Sequence, residues 1–121
     1  MSAAPPFQLG YTEQAKQAIT ALDGSIRKQL RRILERKLAV SPYQHGKPLA
    51  GRLAGYWSHR FAAHRVIYRI YDDFQLVVIC AVGSRREGNR ADVYRQFKAI
   101  VDAGRAAQEV LNVLQGLPSK K

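Results

Sequence analysis

Apolar positions along this chain change their period twice. Ala15, Ala18, Ile19 and Leu22, then Ile26, Leu30, Ile33, Leu34 and Leu38, recur at helical spacing, which predicts two amphipathic helices. Thr12 is placed to cap the first, Asp23-Gly24 breaks it, Ser25 is placed to cap the second, and Ser41-Pro42 ends that one. After an irregular connection rich in Gly and Pro, the period falls to two. Strands are predicted over residues 56–62, 64–71 and 74–82, with turns at Ala62-Ala63 and Asp72-Asp73. A short strand at 7–11 precedes the helices. Beyond the polar loop 83–91, Val93, Phe97, Ile100 and Val101 return to helical spacing, as do Val110, Leu111, Val113 and Leu114, with Gly104 as a kink or a break between them.

The elements predict an α+β domain in which a helical hairpin packs on one face of a small antiparallel sheet. On the middle strand Val66, Tyr68 and Ile70 share one face, expected to meet the helices. Arg65, Ile67 and Arg69 share the other, expected to be a more open, cation-bearing side. The chain is read as one domain spanning 1–121, with its core at about 7–101 and a C-terminal helical extension over 102–121. Residues 1–6 read as a lead-in and 117–121 as a frayed end.

Charge alters this picture more than composition does. An apolar fraction of 46% is ordinary for a folded chain, but the formal net charge is +11. Eleven Lys and Arg fall between Arg27 and Arg69 against the single acid Glu35. Such an excess favours polyanionic partners. Basic residues on a helix are ordinarily a solvated face; arginines inside strands are harder to explain that way. The lone Cys80 lies in an apolar run, so no disulfide framework or cysteine metal site is available, and it reads as a buried thiol in a reducing compartment. The N-terminal run MSAAPPFQLGY has neither the charged nor the apolar region of a signal peptide. No apolar stretch reaches the ~18 residues of a membrane span, so a cytoplasmic protein without membrane partners is expected.

The runs PLAGRLAGYWSHRF, AHRVIYRIYDD, LVVICAVGSRR and VYRQF, behind a helical hairpin, resemble the RelE/ParE superfamily of toxins from bacterial type II toxin–antitoxin modules, and its RelE branch most of all. The most specific parts are G-x-L-x-G-x-W at Gly51 to Trp57, H-R-V-I-Y at His64 to Tyr68, and V-G-S-R at Val82 to Arg85 followed by Val93-Tyr94. The resemblance implies a RelE-like fold, two helices on one face of about four antiparallel strands with a C-terminal helix. It also implies a metal-independent mRNA endonuclease, with no cofactor, acting in the A site of the 70S ribosome and neutralised by a cognate RelB-like antitoxin.

In that chemistry the mRNA 2′-hydroxyl attacks the adjacent phosphate, so developing charge must be held by cations. Arg suits this because its planar fork can hold two phosphate oxygens. Arg65 matches the family's strand arginine for charge stabilisation, Arg85 the arginine proposed as general acid or charge stabiliser, and Arg60 a position that is Lys or Arg. Tyr94 matches a tyrosine that stacks on a base. Arg86, Arg52, Lys47, Arg31 and Arg32 are the expected phosphate contacts to RNA.

The chain departs from the family in two places. The strand lysine pair is replaced within Trp57-Ser58-His59-Arg60, and Gly88-Asn89-Arg90 lengthens the loop after Arg85. Proton abstraction has no assigned owner, and His59 and His64 are the candidates. His59 shares a face with Trp57 and Phe61 by alternation; His64 adjoins Arg65 at a turn. Two other readings fit the same fold: a ParE-like gyrase inhibitor that is not a nuclease, and a non-catalytic RNA-binding member.

Overall fold

The computed structural model describes residues 6–116; residues 1–5 of the expected lead-in, and the expected frayed end at 117–121, lie outside the described residues. The elements run β1 (Gln8–Tyr11), α1 (Glu13–Thr20), α2 (Gly24–Ile33), β2 (Lys47–Pro48), β3 (Trp57–Phe61), β4 (His64–Tyr71), β5 (Leu76–Ser84), α3 (Val93–Asp102) and α4 (Arg105–Gln115). The α+β class, with a helical hairpin packed on one face of the sheet, is as expected. The sheet is larger than expected and mixed: five strands in the order β1-β5-β4-β3-β2. β1 lies parallel to β5, with Gln8 opposite Leu76, while the other pairs are antiparallel. The reason is connectivity. Both helices and three strands separate β1 from β5, a crossover long enough for parallel pairing, which a tight turn could not provide.

Local chemistry explains the ends of the elements. Thr12 caps α1, its Oγ1 accepting from the Ala15 amide at 3.1 Å. Ser25 does not cap α2. The helix begins two residues earlier than a Ser25 cap implies, at Gly24; Asp23 is the flanking residue, and the Ser25 hydroxyl donates to Asp23 Oδ2 at 2.8 Å. After Ile33 the helix widens into a π-turn over Leu34–Leu38, with the Ala39 amide donating to the Leu34 carbonyl at 2.8 Å. Gly104, at φ 75°, makes a full break between α3 and α4 rather than a kink.

The sheet has helices on both faces. α1 and α2 bury Ala15, Leu30, Ile33, Leu34 and Leu38 against Val66, Tyr68, Val77, Ile79 and Val82. The opposite face, expected to be open, is covered through its middle by α3 and α4. There Val93, Phe97, Ala106 and Val110 pack on Ile67, Val78, Cys80 and Ala81. Ile67 is fully buried, so the alternation placed it correctly, but a helical layer lies over it. Only the end of this face that carries Arg65 stays open.

One irregularity interrupts β5. Ile67 pairs with Ala81 and Tyr68 with Ile79, so Cys80 is an extra residue in a β-bulge. Cys80 and Ala81 therefore both face α3 and α4.

Candidate functional site

Two arginines stand opposite each other on the β3–β4 hairpin: Arg60 is the cross-strand partner of Arg65. Like charges directly opposite in a sheet repel. Among the described residues neither guanidinium has a carboxylate within 4.0 Å, so the repulsion of exposed Arg60 and half-buried Arg65 is screened by solvent alone. Arg65 Nη1 donates only to the carbonyl of His64, at 3.0 Å. The turn between the strands holds Ala62 at φ 53°, a left-handed conformation that a side chain normally avoids.

The next strand brings the third arginine. Arg65 pairs with Gly83 on β5, and two residues later the Arg85 amide donates to the Ala63 carbonyl at 2.8 Å. Gly83 permits a close approach: a Cβ there would lie 3.2 Å from the Val93 side chain in the first turn of α3, tighter than ordinary contact. That approach sets Tyr94 beside the arginines. Its hydroxyl and that of Ser58 are 2.6 Å apart, and Arg85 Cζ lies 4.9 Å from its ring centroid. On the far wall Lys47 of β2 pairs with Ser58 of β3. Lys47, Ser58, Arg60, Arg65, Arg85 and Tyr94 line one groove of about 650 Å³, with Gln44 to Gly46 on its rim.

Arg85 differs electrostatically from its neighbours. Its Nη1 donates to Asp92 Oδ1 at 2.6 Å, and its Nη2 lies 3.3 Å from Glu87 Oε1. Asp92 caps α3, accepting from the Arg95 amide at 3.3 Å through Oδ2 and from the Arg86 amide at 2.6 Å through Oδ1. Burial alone would raise the Asp92 pKa, but the hydrogen bonds from Arg85 and these two amides outweigh it and hold the carboxyl below its usual value. The Arg85 pKa is raised in turn, chiefly by the Asp92 hydrogen bond.

The two histidines belong to the other side of the sheet. His59 pairs with Val66, whose side chain packs under α1 and α2. Its Nδ1 lies 2.5 Å from the His45 carbonyl, so the ring must donate there. Burial lowers its pKa, and Lys37 adds to that against the opposing carbonyl bond. The ring is therefore neutral near pH 7. His59 borders the groove, but its Nδ1 is already committed. His64 stacks on Phe61, ring centroids 5.3 Å apart, and its buried Nδ1 has no partner. Neither imidazole is brought among the arginines.

The remaining expected contacts divide. Arg86 follows Arg85 in sequence and is exposed. Arg52 bonds Asp102 at 3.0 Å, at the end of α3 farthest from the groove. Arg31 and Arg32 are exposed on α2, across the sheet, where Arg31 lines a separate cleft of about 460 Å³ with Tyr11, Lys16, Arg27, Leu30 and Glu35. Among the described residues no cluster of His, Cys, Asp or Glu could hold a metal ion, and no helix is long and apolar enough to cross a membrane.

Two site residues escaped the sequence. Asp92 carried a usable signal, an acidic residue immediately before a helical run and thus a good cap. Ser58 carried none, because its role depends on where Tyr94 lands.

Residues 9–88 match the family described as the ParE toxin of the type II toxin–antitoxin system parDE. Toxin RelG of Mycobacterium tuberculosis is 33% identical over 91 residues, covering 75% of this chain and 99% of RelG. Among solved structures, the toxin–antitoxin complex RelBE2 of M. tuberculosis superposes with a TM-score of 0.64 at 31% identity, covering 69% of this chain and 95% of that one. The isolated RelE toxin of Escherichia coli, at 19% identity and a TM-score of 0.58, shares the fold over 80% of this chain and 97% of its own.

Proposed function

This chain belongs to the RelE/ParE superfamily of type II toxins, and we propose that it is a ribosome-dependent mRNA endonuclease whose chemistry takes place in the arginine groove. The observation that carries the proposal is the facing pair Arg60 and Arg65, free of carboxylates, beside Arg85 and Tyr94. Such a pair is unfavourable unless an anion lies between its members.

The RNA backbone would cross the groove with its scissile phosphate on Arg65 and Arg60. The 2′-oxygen bonds to phosphorus as the bond to the 5′-oxygen breaks. The 2′-hydroxyl gives up its proton and the departing 5′-oxygen gains one, so a 2′,3′-cyclic phosphate and a 5′-hydroxyl result and no water is consumed. Arg65 and Arg60 stabilise charge on the phosphoryl oxygens, and fixed charges of this kind are the strongest help such a site can give the transition state. Tyr94 offers a ring for a flanking base, worth about 1–3 kcal/mol. Of the two histidines on the groove's lining, His59 has its Nδ1 committed to the His45 carbonyl, while the His45 ring is exposed and would be the imidazole available for the proton beside the charge-stabilising arginines.

Two kinds of partner follow. The exposed cations of α2, with Arg31 and Arg32, would hold ribosomal RNA of the 70S particle through phosphate contacts while Lys47 and Arg86 hold mRNA in the A site. Arg52, already paired to Asp102, is a weaker candidate. A cognate RelB-like antitoxin would neutralise the toxin, as the RelBE2 relative is a toxin–antitoxin complex. Residues 1–121 would act as one toxin domain.

The match to the ParE toxin family favours a second reading, inhibition of DNA gyrase without nuclease activity. The test adds the protein to translating ribosomes programmed with a defined mRNA, beside a gyrase supercoiling assay. Cleavage within the A-site codon that disappears in Arg65→Ala supports the proposal. Blocked supercoiling without cleavage replaces it with the second reading, and neither effect leaves a non-catalytic RNA-binding member.

A further inference from the structure

Arg85 is the one groove arginine whose fork is already filled. Asp92 Oδ1 sits 2.6 Å from its Nη1 and Glu87 Oε1 sits 3.3 Å from its Nη2, so both terminal nitrogens that could bind phosphate oxygens are engaged. The two carboxylates are unequal. The Asp92 side chain is 5% exposed and anchored by the Arg86 and Arg95 amides, whereas that of Glu87 is 82% exposed. Arg65, on the neighbouring strand, has no such partner.

We propose that Asp92 is an internal competitor for the RNA phosphate at Arg85, an autoinhibitory contact that holds this arginine in a paired state until substrate displaces it. The inference rests on the reading of the groove as an RNA site. Its physical content is a division of labour. Arg65 and Arg60 meet the polyanion at full charge, while Arg85 arrives with its charge offset and its position fixed over Tyr94. A phosphate takes the Arg85 fork only by breaking the Asp92 bond, so the clamp lowers the affinity of the groove for any polyanion that does not fit it well. Asp92 acts through Arg85 and is a positioning residue.

Asp92→Asn isolates the charge. An asparagine has one acceptor oxygen, so it keeps the bond from the Arg86 amide or the one from the Arg95 amide but not both; Asn still caps helices as well as Asp does, and the countercharge goes. The measurement is binding of a short fluorescein-labelled single-stranded RNA by anisotropy across a salt series, with thermal unfolding as the check on folding. Asp92→Asn is expected to tighten binding about threefold to tenfold and to steepen the salt slope by about 0.7, one added phosphate contact on a single strand. Glu87→Gln, which alters an exposed residue, is expected to shift both in the same direction by less. Both gains should vanish in an Arg85→Gln background.

A folded Asp92→Asn protein with unchanged slope and affinity overturns the proposal, as does a gain that persists without Arg85. If Asp92→Asn does not fold, Asp92→Ser, which keeps a capping oxygen without the charge, is judged by the same criteria. Failure of the underlying reading looks different: wild-type protein would then bind RNA no better than Arg65→Ala does.

Discussion

Replacing Gly46 with alanine places a methyl group where no room exists. A Cβ at Gly46 would overlap the Tyr68 hydroxyl, stand 2.9 Å from its ring carbon Cζ, and lie 3.1 Å from the Ser58 carbonyl oxygen. Tyr68 cannot swing aside. It is fully buried, and its hydroxyl donates to the Pro42 carbonyl at 2.7 Å. The strain must therefore move either the Tyr68 ring or the segment leading into β2. Overpacking of this kind costs about 1–3 kcal/mol, and loss of the hydroxyl bond adds about 1 kcal/mol. The sum of about 2–4 kcal/mol should lower the unfolding midpoint by roughly 6–24 °C in a domain of this size. The decisive assay is a double-mutant cycle with Tyr68→Phe, followed by urea denaturation. Tyr68→Phe alone leaves the Pro42 carbonyl unpaired and should cost about 1 kcal/mol, but it also removes the atom that the new methyl meets first. The double variant should then be more stable than the sum of the single effects by at least about 0.5 kcal/mol. Additive costs, or a neutral Gly46→Ala, would refute the argument from close approach.

Removing the exposed Arg52–Asp102 pair by Arg52→Ala should change stability by less than about 1 kcal/mol in denaturant titration. Because the Asp92 pKa is depressed on folding, its contribution is complete above the ordinary carboxylate pKa of 3.8 and is lost as pH falls through its lower folded value. The acid limb of the stability curve should accordingly flatten in Asp92→Asn when unfolding is followed by circular dichroism. Cys80 is buried and its thiol is pushed up to about 12 by burial, so a thiol reagent at neutral pH should label the protein at its unfolding rate and no faster. Labelling of the native protein at the rate of a free thiol would contradict that burial.

Much of this molecule was legible in its residues because one period signals one element. The stripe ending at Leu38 and the alternation through Val66, Tyr68 and Ile70 each located an element and the face it buries. Alternation assigned Arg65 and Ile67 to one side, yet it cannot report what covers that side, and α3 and α4 do so over Ile67 but not over Arg65. The parallel pairing of β1 escaped because strand direction depends on the path of the intervening chain. Ser25 and Asp23 are both good caps beside the same helix start, and local preference could not choose between them. At the site, motif matching singled out Arg65 and Arg85 equally. It could not show that Arg85 alone meets carboxylates, because Asp92 lies seven residues on and becomes its neighbour only when the loop folds back.

The bulge in β5 bears on how much chain this sheet requires. Val78 and Cys80 face α3 and α4 before the irregularity, as do Ala81 and Gly83 after it. Were Ala81 to follow Ile79 directly, the pairing of Ile67 with Ala81 and of Tyr68 with Ile79 would continue as an unbroken ladder. Gly83 would still sit opposite Arg65, and Arg85 would still leave the strand on the side of Tyr94. β5 thus carries one spare residue, taken up as a ripple in its middle. A chain one residue shorter would keep the same register on either side, and the one observed hides its surplus in a cysteine.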